Sequence, residues 1–96
     1  MSKGIIIALV DVTDPDAFQA YGAKATAAVA KHGGRYIARG GRTISLEGDP
    51  APQRVVVIEF PSLEAAETYY NSPEYQDAKA ARDGAATARF IAVEGA

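Results

Sequence analysis

The run Ile5-Ile6-Ile7-Ala8-Leu9-Val10 is the strongest indication of the fold, because it has the length of a strand and contains no polar residue. Val55-Val56-Val57-Ile58 and Phe90-Ile91-Ala92-Val93 repeat the pattern. A strand with one wet face alternates apolar and polar residues. These runs therefore predict a sheet that is apolar on both faces, in a chain of 96 residues with few helices to cover it. A second copy of the same sheet is the simplest cover, so the sequence predicts an obligate homodimer.

Composition and charge limit the classes of partner. Ninety-six residues predict a single domain over 1–96. The net charge is −2 and no basic stripe is present, so neither nucleic acid nor a membrane is an expected partner. The chain contains no cysteine, which excludes thiolate chemistry and favours a cytoplasmic location. The apolar run at 5–10 is too short to span a bilayer, and no targeting segment is predicted.

The order of elements follows from strand runs and helix-start signals. Asp14, Ser62 and Ser72 are each placed to cap the first turn of a helix. The sequence predicts helices from Pro15 to about 32, from 62 to 71 and from 73 to about 83. Strands are predicted at 4–12, 35–39, 54–60 and 87–94, with a bend at Gly40-Gly41 and a resumption of the second strand over 43–46.

These elements give a βαββαβ order whose second helix is broken in two. Right-handed crossovers place the third strand between the first and the second. The predicted fold class is α+β, a ferredoxin-like domain with a four-stranded antiparallel sheet of order 4-1-3-2. Its helices cover one face of the sheet, and the bare apolar face is the expected dimer interface.

Four segments carry a resemblance to a known family: 10–15 (VDVTDP), 32–41 (HGGRYIARGG), 57–62 (VIEFPS) and 71–75 (NSPEY). Through them the chain resembles the DUF1330 family of dimeric α/β-barrel proteins over nearly its whole length. One departure is Pro50, where the family often has an aromatic residue. The resemblance implies a ferredoxin-like protomer that pairs into a barrel, and little chemistry. The wider dimeric-barrel class includes monooxygenases, haem-degrading enzymes and decarboxylases, which is an analogy of fold alone.

Two residues are candidates for catalysis by proton transfer. Asp11 interrupts an apolar strand. It is a carboxylate at a pocket mouth, the partner of a cross-strand pair with Arg89, or a residue that supports the start of the first helix. His32 is the only histidine. It is either a general base oriented by Glu59 or a favourable cation at a helix C-terminus. One histidine and no clustered carboxylates predict no metal site, and no cofactor is expected.

Four residues are candidates for substrate binding. Arg39 lies in a strand beside two glycines, where its guanidinium can bind a carboxylate or protect a sheet edge. Glu59 is expected to pair with Arg35 or Arg39. Tyr21 and Tyr75 belong to a group of tyrosines, also including 69 and 70, of which most are expected in the core. Tyr75 is expected to be at least partly buried near a cleft.

Three functions therefore stay open. The first is an enzyme that acts on a small organic molecule, such as a carboxylate, by cofactor-independent proton transfer. The second is a barrel that binds a small molecule without catalysis, or one associated with stress. The third is a structural dimer module. A hollow near Asp11, Arg39 or His32 favours the first two, whereas paired and sealed side chains favour the third.

Overall fold

The computed structural model describes residues 2–96. Its elements follow the predicted βαββαβ order with a broken second helix. In chain order they are β1 (Gly4–Val12), α1 (Pro15–Lys31), β2 (Arg35–Arg39), β3 (Arg54–Phe60), α2 (Leu63–Asn71), α3 (Pro73–Ala81) and β4 (Ala86–Glu94).

The three helices begin where the capping residues predict. The Asp14 carboxylate accepts a hydrogen bond from the backbone N–H of Ala17 at 3.3 Å, and Ser62 accepts one from Ala65 at 3.0 Å. Ser72 joins α2 to α3, because its hydroxyl accepts from the N–H of Tyr75 and donates to a carbonyl of α2. Each cap satisfies an N–H that the first helical turn leaves free.

The four strands form one antiparallel sheet in the order β2-β3-β1-β4, which confirms the predicted topology. In the long central strand β1, Ile7 lies opposite Val57 of β3 and opposite Ile91 of β4. The result is a ferredoxin-like α+β fold. No helix of residues 2–96 has the length and apolar character needed to cross a membrane.

The two faces of the sheet differ in what covers them. Side chains of Ile6, Ala8 and Val10 are buried under the helices. The opposite face, here called the outer face, carries a set of aliphatic side chains that no element of residues 2–96 covers. Its members are Ile5, Ile7, Leu9, Val55, Val57, Ile91 and Val93, which alternate with the buried positions and pair across the strands.

The predicted resumption of the second strand over 43–46 is wrong. Gly40 adopts a left-handed φ of 68° and turns the chain away from β3. The following residues, 41–52, form no strand, and Leu46 is 92% exposed. The alternation in Thr43-Ile44-Ser45-Leu46 is typical of a strand. The pairing of β2 with β3 ends at Arg39, however, and within residues 2–96 no strand forms backbone hydrogen bonds with 43–46.

Candidate functional site

A cluster of aromatic side chains fills the space between the helices and the sheet. The hydroxyls of Tyr21 on α1 and Tyr75 on α3 share a hydrogen bond of 3.0 Å. Tyr75 is fully buried, which confirms the prediction of at least partial burial. Burial, and then the adjacent Tyr75, raises the pKa of Tyr21 far above its ordinary value, so its phenol stays protonated at neutral pH. Burial likewise raises the pKa of Tyr69.

Arg82 extends this cluster from the end of α3. Its Cζ lies 5.3 Å from the ring centroid of Tyr21 and 5.4 Å from that of Phe90. One guanidinium nitrogen, Nη2, donates to the hydroxyl of Tyr75 over 3.5 Å. The Nε atom is buried and has no hydrogen-bond partner. Within residues 2–96, Arg82 forms no ion pair with a carboxylate. The guanidinium thus lies among aromatic rings, with no carboxylate of residues 2–96 within ion-pair distance.

A cleft of about 650 Å³ opens beside Arg82, between α2 and β4. We call it the α2–β4 cleft. Aromatic walls are supplied by Tyr70 and Phe90, whose ring centroids lie 5.7 Å apart. Lys79 is a second cation in the lining, with its Nζ 5.5 Å from the centroid of the Tyr70 ring. The volume lies within the range of about 300–1,000 Å³ that is typical of small-molecule sites.

Arg39 and Tyr21 meet in a different and much smaller cavity, of about 40 Å³, between α1 and the β2–β3 half of the sheet. Arg39 donates from Nη2 to the hydroxyl of Thr26 at 2.6 Å and lies over the ring of Tyr36, 4.3 Å from its centroid. The structure therefore brings together two of the predicted binding residues. The cavity has room for only a few waters or atoms.

Asp11 lies near the C-terminal end of β1, on the outer face of the sheet and away from both of these sites. Its Oδ1 accepts a hydrogen bond from the backbone N–H of Gln53 at 2.9 Å. The side chain of Gln53 returns a bond, because its Oε1 accepts from the N–H of Val12 at 2.6 Å. The expected pair with Arg89 does not form, since the residue opposite Asp11 is Thr87. The carboxylate of Asp11 thus holds the end of segment 41–53 against β1 through a hydrogen bond.

His32 caps the far end of α1 and pairs with Glu74, not with Glu59. Its Nε2 lies 3.0 Å from Oε1 of Glu74, whose other oxygen lies 3.3 Å from Nζ of Lys31. The expected orientation of His32 by Glu59 is wrong because Glu59 lies opposite Ile5 and so faces the other side of the sheet. There Glu59 accepts from Nε of Arg35 at 3.0 Å, which confirms that predicted pair.

The six predicted site residues therefore occupy four places. Tyr21 and Tyr75 share one bond, and Tyr21 also lines the Arg39 cavity; Asp11, His32 and Glu59 are each separate. Arg82 is not among the residues that the sequence predicts for the site, although a signal is present. Tyr75 and Arg82 are seven residues apart on one predicted helix, which places both on the same face. Within residues 2–96, no group of three acidic or histidine side chains is placed to hold a metal ion.

The comparison with known families agrees with the fold. Residues 3–96 match the family described as "Domain of unknown function (DUF1330)". The chain belongs to the DUF1330 family. No protein of curated function matches it in sequence.

Several solved structures have a similar fold. RPA0582, a protein of unknown function from Rhodopseudomonas palustris, is 25% identical, with a TM-score of 0.71 over 96% of this chain and 81% of that chain. SnoaB, a cofactor-independent oxygenase from Streptomyces nogalater, is 16% identical, with a TM-score of 0.64 over 97% and 92%. A dimeric protein of unknown function and ferredoxin-like fold from Bacteroides fragilis is 16% identical, with a TM-score of 0.63 over 96% and 95%. The last two likenesses concern the fold alone.

Proposed function

We propose that this protein is a homodimer that binds a small organic carboxylate in the α2–β4 cleft. The observation that carries the proposal is the partly exposed guanidinium of Arg82, whose Nε is buried without a hydrogen-bond partner and which forms no ion pair with a carboxylate of residues 2–96. A charge that is partly removed from water is stabilised by an opposite charge. A ligand carboxylate supplies the missing charge and accepts two parallel N–H bonds from the planar guanidinium.

The rest of the cleft selects the body of the ligand. Tyr70 and Phe90 present aromatic surface beside Arg82, and Leu63 and Ile6 add apolar surface. Flat rings pack well against such walls, in offset or edge-to-face arrangements. The acid is therefore a carboxylate with a flat apolar body. The lining carries Lys79 as a second cation, and also the carboxylates of Glu64 and Glu67, so Arg82 has to supply the anchor.

A second candidate function is cofactor-independent proton transfer on the bound acid. It is favoured by the hydrogen-bonded Tyr21–Tyr75 pair, because the Tyr75 hydroxyl also contacts Arg82 and tyrosine is among the side chains that transfer protons in general acid–base catalysis. SnoaB, with a similar fold, is a cofactor-independent oxygenase. Asp11 and His32 stay predictions for the same role, although each already has a hydrogen-bond partner, in Gln53 and in Glu74.

The dimer in this proposal uses the outer face. Its aliphatic side chains form a continuous patch across β3, β1 and β4. Ile91 and Val93 are each 46% exposed in one chain. A patch of this extent is rare on a monomer and typical of an interface. The dimeric neighbour from Bacteroides fragilis supports this assembly.

The test is a calorimetric titration with benzoate, and with hexanoate and benzyl alcohol as comparators. Benzoate is expected to bind, hexanoate to bind more weakly, and neutral benzyl alcohol to bind least. Arg82→Gln is expected to weaken benzoate binding by about tenfold or more, since a hydrogen bond to a charged group contributes roughly 1.5–3 kcal/mol. Arg42→Gln, in the exposed segment, removes the same charge and is expected to bind benzoate normally.

Two outcomes separate the candidates. Mass spectrometry detects any chemical change of a bound acid. A change that is abolished in Tyr75→Phe supports proton transfer in addition to binding. Folded protein that binds none of the acids, or that binds benzoate equally well in Arg82→Gln, contradicts the proposed site.

A further inference from the structure

The small cavity between α1 and the sheet is lined by two arginines. Arg39, at the end of β2, and Arg54, at the start of β3, both face it, together with Phe18 and Tyr21. Neither arginine forms an ion pair with a carboxylate of residues 2–96. Arg39 is exposed and Arg54 is partly buried, so two like charges line one small cavity and repel each other.

Arg54 is held in place without a partner for its buried nitrogen. Its Cζ lies 5.7 Å from the ring centroid of Phe18, and its Nε is buried with no hydrogen-bond partner. The backbone of Gly40 passes beside the guanidinium, and a Cβ at Gly40 would lie 2.5 Å from Nη1 of Arg54. The glycine therefore gives Arg54 the space to lie across the end of β2.

Arg39 is positioned from two sides. Its guanidinium lies over the Tyr36 ring and donates to the hydroxyl of Thr26, which in turn donates to the carbonyl of Gly22 at 2.8 Å. One nitrogen of the guanidinium thus donates a hydrogen bond, and its other N–H donors form none within residues 2–96. A fixed guanidinium loses less conformational entropy when it binds an anion than a free side chain does.

We infer that Arg39 and Arg54 form a second binding site, specific for a compact planar oxyanion such as the carboxylate of a one- or two-carbon acid. The charge of the anion offsets the repulsion between the two guanidinium groups. Its two oxygens match the guanidinium fork, which a spherical anion such as chloride does not. The volume of about 40 Å³ excludes an acid with a larger body. This site is distinct from the α2–β4 cleft and does not depend on the function proposed for it.

The test is a titration of the protein with sodium formate at constant ionic strength, with sodium chloride as the comparison anion. It is followed by the ¹H–¹⁵N NMR signals of the arginine Nε–H groups and of the Gly40 amide. Formate is expected to shift the Arg54 Nε–H signal saturably, and chloride is not. Arg54→Gln is expected to weaken formate binding by about tenfold or more. Arg42→Gln makes the same charge change on an exposed arginine and is expected to leave the affinity for formate unchanged.

A pair of glycine variants tests the site without removing an arginine. Gly40→Ala places a methyl group against Arg54 at a left-handed φ, whereas Gly48→Ala, at a similar left-handed φ of 82°, meets no atom within 4 Å. Formate binding is expected to be lost in Gly40→Ala and retained in Gly48→Ala, with folding checked by circular dichroism. Arg82→Gln is expected to bind formate normally, which separates this site from the cleft. Absence of saturable shifts, an equal response to chloride, or normal affinity in folded Arg54→Gln or Gly40→Ala overturns the inference.

Discussion

The hydroxyls of Tyr21 and Tyr75 lie 3.0 Å apart in the interior, although the two residues are 54 positions apart in the chain. Their bond joins α1 to α3 above the sheet and is the polar centre of an otherwise apolar core. Arg82 lies next to it, with Nη2 3.5 Å from the Tyr75 hydroxyl. The same pair thus stabilises the packing of the helices and connects the core to the α2–β4 cleft.

The two single hydroxyl removals from this pair are expected to destabilise the protein, in sum, more than removal of both hydroxyls together. Tyr21→Phe leaves the Tyr75 hydroxyl without its closest partner, and a buried polar group without its bond costs about 1–3 kcal/mol. The Tyr21→Phe/Tyr75→Phe double variant is expected to lose less than the sum of the single losses. Urea unfolding of the four proteins gives the coupling energy directly.

Tyr70→Phe is the control for this cycle. Within residues 2–96, the hydroxyl of Tyr70 forms no hydrogen bond. Its ring nevertheless packs against the ring of Tyr75. Its removal is expected to change the free energy of unfolding by less than either single variant of the pair. Strict additivity in the Tyr21/Tyr75 cycle contradicts the coupling.

The sequence predicts the sheet well because the relevant information is local. The runs at 5–10 and 55–58 and the caps at Asp14, Ser62 and Ser72 each determine an element from neighbouring residues. Thr43–Leu46 misleads for the converse reason. Its alternation is also local, but a strand needs a hydrogen-bonded neighbour, and whether one is present depends on the path of the whole chain.

The candidate site is less predictable because it depends on how helices pack. The burial predicted for Tyr75 is correct, since α3 begins anew after the Ser72-Pro73 break and its first turn packs on the core. Arg82 and Arg54 become notable only when α3 and Gly40 are positioned in three dimensions and no carboxylate reaches them. His32 illustrates the opposite error, because its partner Glu74 comes from α3, which packs alongside α1.

Asp11→Ala is expected to loosen the exposed segment 41–53 while leaving the global fold intact. The variant removes the acceptor for the Gln53 N–H, and a hydrogen bond of this kind contributes about 0.5–1.5 kcal/mol. Tryptic cleavage after Arg42 is expected to accelerate several-fold. Asp49→Ala, in the same exposed segment, is the matched control and is expected to be cleaved at the wild-type rate. Unchanged cleavage in Asp11→Ala, together with loss of a measured activity, restores a catalytic role for Asp11.

The pairing of Glu74 predicts a specific loss of stability in acid. The hydrogen bond from His32, together with the nearby Lys31, holds the pKa of Glu74 below its ordinary value. A carboxyl whose pKa is lower in the folded state stabilises the fold above its unfolded pKa of about 4.3, and this contribution is lost as the pH falls through the lower folded pKa. The free energy of unfolding of the wild-type protein is therefore expected to fall more steeply below about pH 4.3 than that of Glu74→Gln.

Urea unfolding at a series of pH values measures this difference. Glu47→Gln, in the exposed segment, makes the same charge change away from His32 and is expected to keep the wild-type pH profile. Identical acid slopes for wild-type protein and Glu74→Gln show that the pair does not contribute to the free energy of unfolding.

Val57→Lys is expected to dissociate the proposed homodimer. Val57 lies near the centre of the outer face, opposite Ile7 of β1 and Ala38 of β2. In the dimer the new ammonium is desolvated without a partner, which is costly, whereas in a monomer it reaches solvent. Analytical ultracentrifugation is expected to show a dimer for the wild-type protein and a monomer, or unfolded chain, for the variant, since an obligate dimer often has no stable monomer. Ala27→Lys, on the exposed side of α1, is the matched control and should stay dimeric. A folded wild-type monomer at micromolar concentration contradicts the assignment of the outer face as an interface.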